Sequence, residues 1–123
     1  MKKKTEINQQ CSRCGVEYAF KRIGGKYKAR IIWNLGNTEL RFGELGRILP
    51  DVSTKMLTQA LRELESDQLI IRKMYYEVPP KVEYSLTVTA RQLIPFLEHL
   101  NDWGHTQIKN ESIGKTNEGS SSN

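Results

Sequence analysis

From Ser53 to Leu69 the chain reads STKMLTQALRELESDQL. Its polar residues are of the kinds that hydrogen-bond to bases or pair with phosphates. In a helix of 3.6 residues per turn, each step turns ~100°. Counted from Lys55, residues Thr58, Gln59, Arg62 and Ser66 then fall near Lys55, and Leu57, Ala60, Leu61 and Leu64 fall opposite. One side can dock on a core. On the other, glutamine can pair bidentately with adenine, and arginine or lysine with guanine. Ser53 is placed to cap such a helix, Val52 precedes it, and Leu57 sits where a hydrophobic staple would close. The helix N-terminus and Ser53 would hold a phosphate, while Thr54, Lys55, Thr58, Gln59 and Arg62 would face a major groove. The competing reading is an ordinary amphipathic surface helix, flanked by Glu63.

A second group is Cys11-Ser12-Arg13-Cys14, with C-x-x-C spacing. A thioredoxin-like site needs a strand–helix–strand setting, which is missing around it. Zinc normally takes four ligands, and the two histidines, His99 and His105, lie far along the chain. No metal site and no cofactor are therefore expected. Redox or electrophile sensing remains: Cys14 precedes a helix start, beside Arg13, where a thiolate is favoured. Cys11 could resolve an oxidised Cys14 as a disulfide. Two ordinary reduced thiols are the bland alternative.

The elements that must position these residues follow from the apolar spacing. Residues 1–13 are polar and read as a flexible arm. Val16, Ala19, Phe20 and Ile23 recur at helical spacing, and Gly24-Gly25 breaks that helix. Lys26–Leu35 reads as a second helix with Ile31, Ile32 and Leu35 inside and Gly36 as its C-terminal cap; Trp33 lies off that stripe. After a turn and one short strand ending at Arg41, Phe42, Leu45, Ile48 and Leu49 define a third helix. Pro50-Asp51 must end it before the Ser53 helix begins, which gives a helix-turn-helix.

Two strands are expected next. Ile70–Tyr76 is rich in β-branched and aromatic residues. Val82–Leu86 alternates, with Val82, Tyr84 and Leu86 on one face. Pro79-Pro80 stiffens their connection and keeps it out of a ladder. A hairpin in this position is a wing, and Arg72, Lys73 and Lys81 would bring phosphate or groove contacts from it. Thr87 caps a short helical turn, and a longer helix starts near Pro95. Along it Leu93, Leu97, Leu100 and Trp103 recur at spacings of four and three, with Phe96 nearby. A second subunit is the expected destination for that stripe; docking on the same subunit is the alternative. Residues 106–123, rich in Ser, Asn, Gly and Lys, read as a disordered tail.

The 123 residues carry 19 Lys and Arg against 14 Asp and Glu, a net charge of +5. That excess favours acidic partners, nucleic acid first. No stretch is long and apolar enough to span a bilayer, and the basic run Lys2–Lys4 is not followed by an apolar one. The expected location is cytoplasmic, with no membrane partner. Gly-rich phosphate loops and recognisable Ser/His/Asp sets are lacking, so the expectation is not an enzyme.

From Cys14 to about Gly104 the chain resembles the HxlR-type winged helix-turn-helix regulators. The resemblance rests on Cys14-Gly15-Val16-Glu17, Ile23-Gly24-Gly25-Lys26-Tyr27-Lys28, Arg41-Phe42, Glu44-Leu45 and Leu49-Pro50. It continues through Lys55-Met56-Leu57-Thr58, Leu61-Arg62-Glu63-Leu64-Glu65, Glu77 to Thr87, and Trp103-Gly104. It implies an α+β winged helix-turn-helix, mostly helical with a short hairpin wing, in a domain spanning 14–105. It also implies N- and C-terminal dimerisation helices, here carrying Val16 and Phe20 at one end and Leu93, Phe96, Leu97, Leu100 and Trp103 at the other. The implied function is a homodimeric regulator of transcription, more readily a repressor acting by occlusion. The implied partner is double-stranded DNA with a palindromic operator, with a small reactive effector sensed through Cys14. Gln68 departs from the family's usual glycine after the recognition helix. A winged helix used only to bind another protein is the alternative.

Overall fold

The computed structural model describes residues 14–118. The expected arm at 1–13, with Cys11 and Arg13 in it, and 119–123 of the expected tail lie outside the described residues. The elements, in order, are α1 (Gly15–Ile23), α2 (Lys28–Leu35), β1 (Leu40–Arg41), α3 (Phe42–Ile48), α4 (Thr54–Ser66), β2 (Ile70–Tyr75), β3 (Lys81–Leu86), α5 (Val88–Arg91) and α6 (Ile94–Glu118). The chain divides into two units, one ending at Arg91 and one beginning at Gln92.

The first unit is built on three helices and a small sheet. Ile31, Ile32 and Leu35 of α2, Leu45 of α3, and Leu57 and Leu64 of α4 are fully buried, as are Leu49 and Leu86. Each such side chain contributes ~1.5–3 kcal/mol by leaving water. The spacing in each helix puts these residues on one stripe, and the stripes meet because α2 packs on α3, α4 and β3 while α4 rests on β2. Trp33 is partly exposed, off the stripe as expected. The antiparallel sheet has the order β1-β3-β2. Leu40 pairs with Tyr84 and Arg41 with Glu83, while Ile70 to Tyr75 pair with Leu86 to Lys81. This register puts Ile70, Arg72, Met74, Val82, Tyr84 and Leu86 on one face. Ile71, Lys73, Tyr75, Lys81, Glu83 and Ser85 take the other.

The helix ends are written locally. Ser53 Oγ accepts from the Met56 amide at 3.1 Å, and Val52 and Leu57 are both buried beneath that first turn. Glu44 accepts from the Arg41 amide at 2.8 Å at the start of α3. Gly36, with a φ of +49°, ends α2, its amide donating to Ile32 O. The end of α4 is a Schellman turn: the Leu69 amide donates to Leu64 O and the Gln68 amide to Glu65 O, each at 2.9 Å. Leu64 and Leu69, which occupy the two positions of that motif's apolar pair, are both buried. Its left-handed position is filled by Gln68, with a φ of 60°, so the departure from glycine is accepted as strain rather than avoided. Thr87 caps α5, its hydroxyl accepting from the Ala90 amide at 3.1 Å.

In the second unit Pro95 occupies the first turn of α6, where its missing N–H removes no helical bond. The helix continues to Glu118, through residues 106–118 of the stretch whose composition reads as a disordered tail. Once a helix is nucleated each further residue adds a bond cheaply. The stretch after Thr106 has no proline to stop it, and Gly114 alone lowers propensity only modestly.

Candidate nucleic-acid interface

The helix α4 is the element around which the candidate site forms. Leu57, Ala60, Leu61 and Leu64 are buried, which leaves Lys55, Gln59 and Arg62 exposed on the far side with Ser53 and Thr54 at the start. Lys55 and Arg62 have no ion-pair or hydrogen-bond partner among the described residues. Their charges are therefore available to a ligand. Thr58 is half-buried, and its hydroxyl donates to Thr54 O at 2.8 Å. Its donor is thus already used, and it offers a methyl group and an acceptor instead.

Glu63, the acidic neighbour that weakens a nucleic-acid reading of the sequence, is occupied. Its Oε1 lies 2.6 Å from Lys28 Nζ, and its Oε2 accepts from Gln59 Nε2 at 2.6 Å. Lys28 first and Gln59 second hold the Glu63 carboxyl below the usual carboxylate range. The carboxylate is charged, but its charge is matched by α2. The turn before α4 is tied to the same helix. Arg30 donates through both terminal nitrogens to Asp51, at 2.8 and 3.0 Å. Arg30 and the backbone amide of Asp51 itself keep that carboxyl below its ordinary range. Two ion pairs from one turn of α2 thus set where α4 begins and how its exposed face is lined.

The three basic residues of the hairpin do not gather. Arg72, opposite Tyr84 in the sheet, lines a polar cleft of about 410 Å³ together with Thr58, Arg62 and Glu65 of α4. Two guanidinium groups from separate elements therefore border one opening. Lys73 and Lys81 lie on the other sheet face. Both approach the ring of Tyr75, at 4.9 and 4.5 Å from its centroid, and Lys81 also pairs with Glu83 at 3.6 Å. Lys81 is thus a committed residue, whereas the sequence reading gave it the same standing as Arg72. The hairpin tip instead exposes Tyr76 and Val78 almost wholly, on either side of an exposed Glu77. An apolar groove of about 530 Å³ runs between the Gly24–Lys28 turn and the α4 residues Lys55, Met56 and Gln59.

The remaining candidates sit apart from α4. Cys14 is exposed, immediately before α1. Among the described residues no three His, Cys, Asp or Glu side chains come together to hold a metal. Of the residues expected at a subunit contact, Val16, Phe20, Phe96, Leu100 and Trp103 are exposed in one copy, Leu93 is half-buried and Leu97 is buried. No described helix is long and apolar enough to cross a membrane. The sequence reading missed Lys28. The Gln59–Glu63 spacing of four was a visible signal of side-chain contact. Lys28, however, lies 35 positions earlier and reaches Glu63 only through the fold.

Comparison with known proteins agrees with this arrangement. The model of the HxlR-like helix-turn-helix family matches residues 22–112. An uncharacterised HTH-type transcriptional regulator of Methanothermobacter thermautotrophicus is 48% identical over 91 residues, 74% of this chain and 70% of that protein. The uncharacterised HTH-type transcriptional regulator YkvN of Bacillus subtilis is 50% identical over 91 residues, 74% of this chain and 77% of that one. The solved structure of the redox regulator HypR in its oxidised form superposes with a TM-score of 0.72 at 43% identity, covering 76% of this chain and 96% of that one. These relatives are transcriptional regulators, not enzymes. With its winged-helix fold and its polar, outward α4, the chain belongs to the HxlR-like helix-turn-helix family.

Proposed function

We propose that this protein is a homodimeric, sequence-specific DNA-binding repressor whose affinity responds to oxidants or electrophiles through Cys14. The observation that carries the DNA-binding part is the exposed triad Lys55, Gln59 and Arg62, with Arg72 bordering the same cleft as Arg62. In this reading α4 enters the major groove, where Gln59 and Arg62 meet base edges. Ser53, Thr54 and Lys55 hold phosphate, and Arg72 reaches the adjoining strand. Thr58 offers its methyl group to thymine or its oxygen to an amino group. Two copies paired through Val16, Phe20, Phe96, Leu100 and Trp103 would set two α4 helices roughly 34 Å apart, the repeat of a palindromic site. The exposure of those five apolar side chains supports the pairing. Cys14 is exposed, and HypR, with which the chain superposes, is a redox regulator. Both support the sensing role.

The test is selection of bound sequences from random duplexes, with and without mild oxidant, for the full chain and for Cys14→Ser. The expected result is a palindrome recovered under reducing conditions, with affinity falling steeply as salt rises. Oxidant should change the affinity of the wild type but not that of Cys14→Ser. Recovery of no preferred sequence would remove the DNA-reading role. An unchanged affinity after oxidation would remove the sensing role alone.

A further inference from the structure

Gln59 can report a base reliably only if its amide presents a fixed end. Turning a glutamine amide over exchanges Oε1, an acceptor, with Nε2, a donor, at nearly the same place. Here Nε2 donates to Glu63 Oε2 at 2.6 Å. A carboxylate accepts only, so the turned-over amide would set Oε1 against another acceptor and lose the bond. Glu63 is held in its own place by Lys28, 2.6 Å from its other oxygen. The Lys28 side chain is only 16% exposed, and it stands at the first residue of α2, so the anchor belongs to the folded body rather than to α4. The low protonation range of Glu63 keeps it an acceptor throughout the neutral region.

Resting on the DNA-reading role proposed for α4, we infer that Glu63, fixed by Lys28, is a specificity-determining residue that sets the sense of the Gln59 amide. So fixed, Gln59 offers Oε1 and one remaining N–H. That pair matches the N6 donor and N7 acceptor of adenine. Guanine presents two acceptors, N7 and O6, at the same edge, so Oε1 would face O6 without a proton between them. An amide free to turn over could meet guanine by donation alone, and the discrimination would relax. Glu63 and Lys28 are positioning residues: they act through Gln59 and need touch no base.

The experiment measures the affinity of the full-length protein for duplexes that vary one base pair at a time. The pair facing Gln59 is the one whose preference Gln59→Ala abolishes. At that pair the wild type should favour adenine over guanine by roughly 5–150-fold, the range of a good bidentate contact. Glu63→Gln, whose amide can accept or donate, should reduce that ratio at least several-fold and leave the preferences at other pairs unchanged. Lys28→Met should lower it in the same direction, and Lys28→Arg, which keeps the cation, should preserve it. A purely structural role would weaken every site alike. The inference is overturned if Glu63→Gln and Lys28→Met keep the wild-type ratio, if they scale all pairs equally, or if Gln59→Ala alters no preference. A wild type that prefers no sequence at all overturns the DNA-reading role and the inference together. Thermal melts of the variants show that folding is retained.

Discussion

Replacing Gln68 by glycine should stabilise the protein. Gln68 is the left-handed residue of the turn that ends α4, with a φ of 60°. A β-carbon in that conformation costs roughly 1–2 kcal/mol. Glycine removes that cost but is freer in the unfolded chain, which takes back about 0.4–1 kcal/mol. The net expectation is ~0.5–1 kcal/mol in favour of Gln68→Gly, or roughly 2–5 °C in melting temperature for a chain of this size. Every hydrogen bond in which Gln68 takes part at this turn is made by its main chain. Its amide donates to Glu65 O, and its carbonyl accepts from Thr87 Oγ1 at 3.0 Å. These bonds survive the substitution, so strain is the quantity that changes. Gln68→Ala is the matched control, since it keeps the β-carbon and discards the rest of the side chain. Both variants and the wild type are melted at one protein concentration, because subunit association would otherwise shift the midpoint. If Gln68→Gly melts no higher than Gln68→Ala, backbone strain at this position is not a significant term and the reasoning fails.

Other consequences follow from particular contacts. Arg62→Ala should weaken specific DNA binding roughly 5–150-fold and leave folding within about 0.5 kcal/mol. Lys81→Ala should change binding far less, because Lys81 is already engaged by Glu83 and Tyr75; equal losses in a gel-shift titration would contradict this difference. Ser53→Ala should cost about 1 kcal/mol by leaving the Met56 amide uncapped, and Ser53→Asp should retain most of it, as read by denaturant unfolding. The Arg30 pair lowers the Asp51 carboxyl from its ordinary value of 3.8. The native state therefore binds its proton less readily than the unfolded chain. The contribution is complete above that value and is lost as pH falls through the lowered one. Stability measured from neutral pH into acid should decline less for Asp51→Asn than for the wild type, and parallel curves would show that the pair contributes nothing.

Much of this molecule could be read along the chain because the deciding forces are local. The apolar spacing placed α2, α3 and α4. Ser53, Thr87 and Gly36 marked helix ends, since a cap acts on amides or carbonyls within a few residues. Alternation from Val82 to Leu86 placed β3 and its buried face. The outward set of Lys55, Gln59 and Arg62 followed from the same helical period that buries Leu57 and Leu64. Gln68 stood out only against the glycine that the family resemblance implies at that helix end, and only backbone angles could say whether it took the strain. The end of α6 was not legible, because a polar segment with weak propensity is carried along by the helix already formed before it.

Tertiary structure alone decided how the charges are distributed. In sequence Arg72, Lys73 and Lys81 look equivalent, and Glu63 looks like a defect in a basic face. The register of the sheet separates Arg72 from the two lysines and directs it to the cleft it shares with Arg62. The crossing of α2 beside α4 brings Lys28 to Glu63 and Arg30 to Asp51. Ion pairs between residues more than twenty positions apart depend on a separation of a few ångströms in space, which no local pattern encodes. A helical period can thus say which side chains face outward, while packing against neighbouring elements determines which of those remain free to bind.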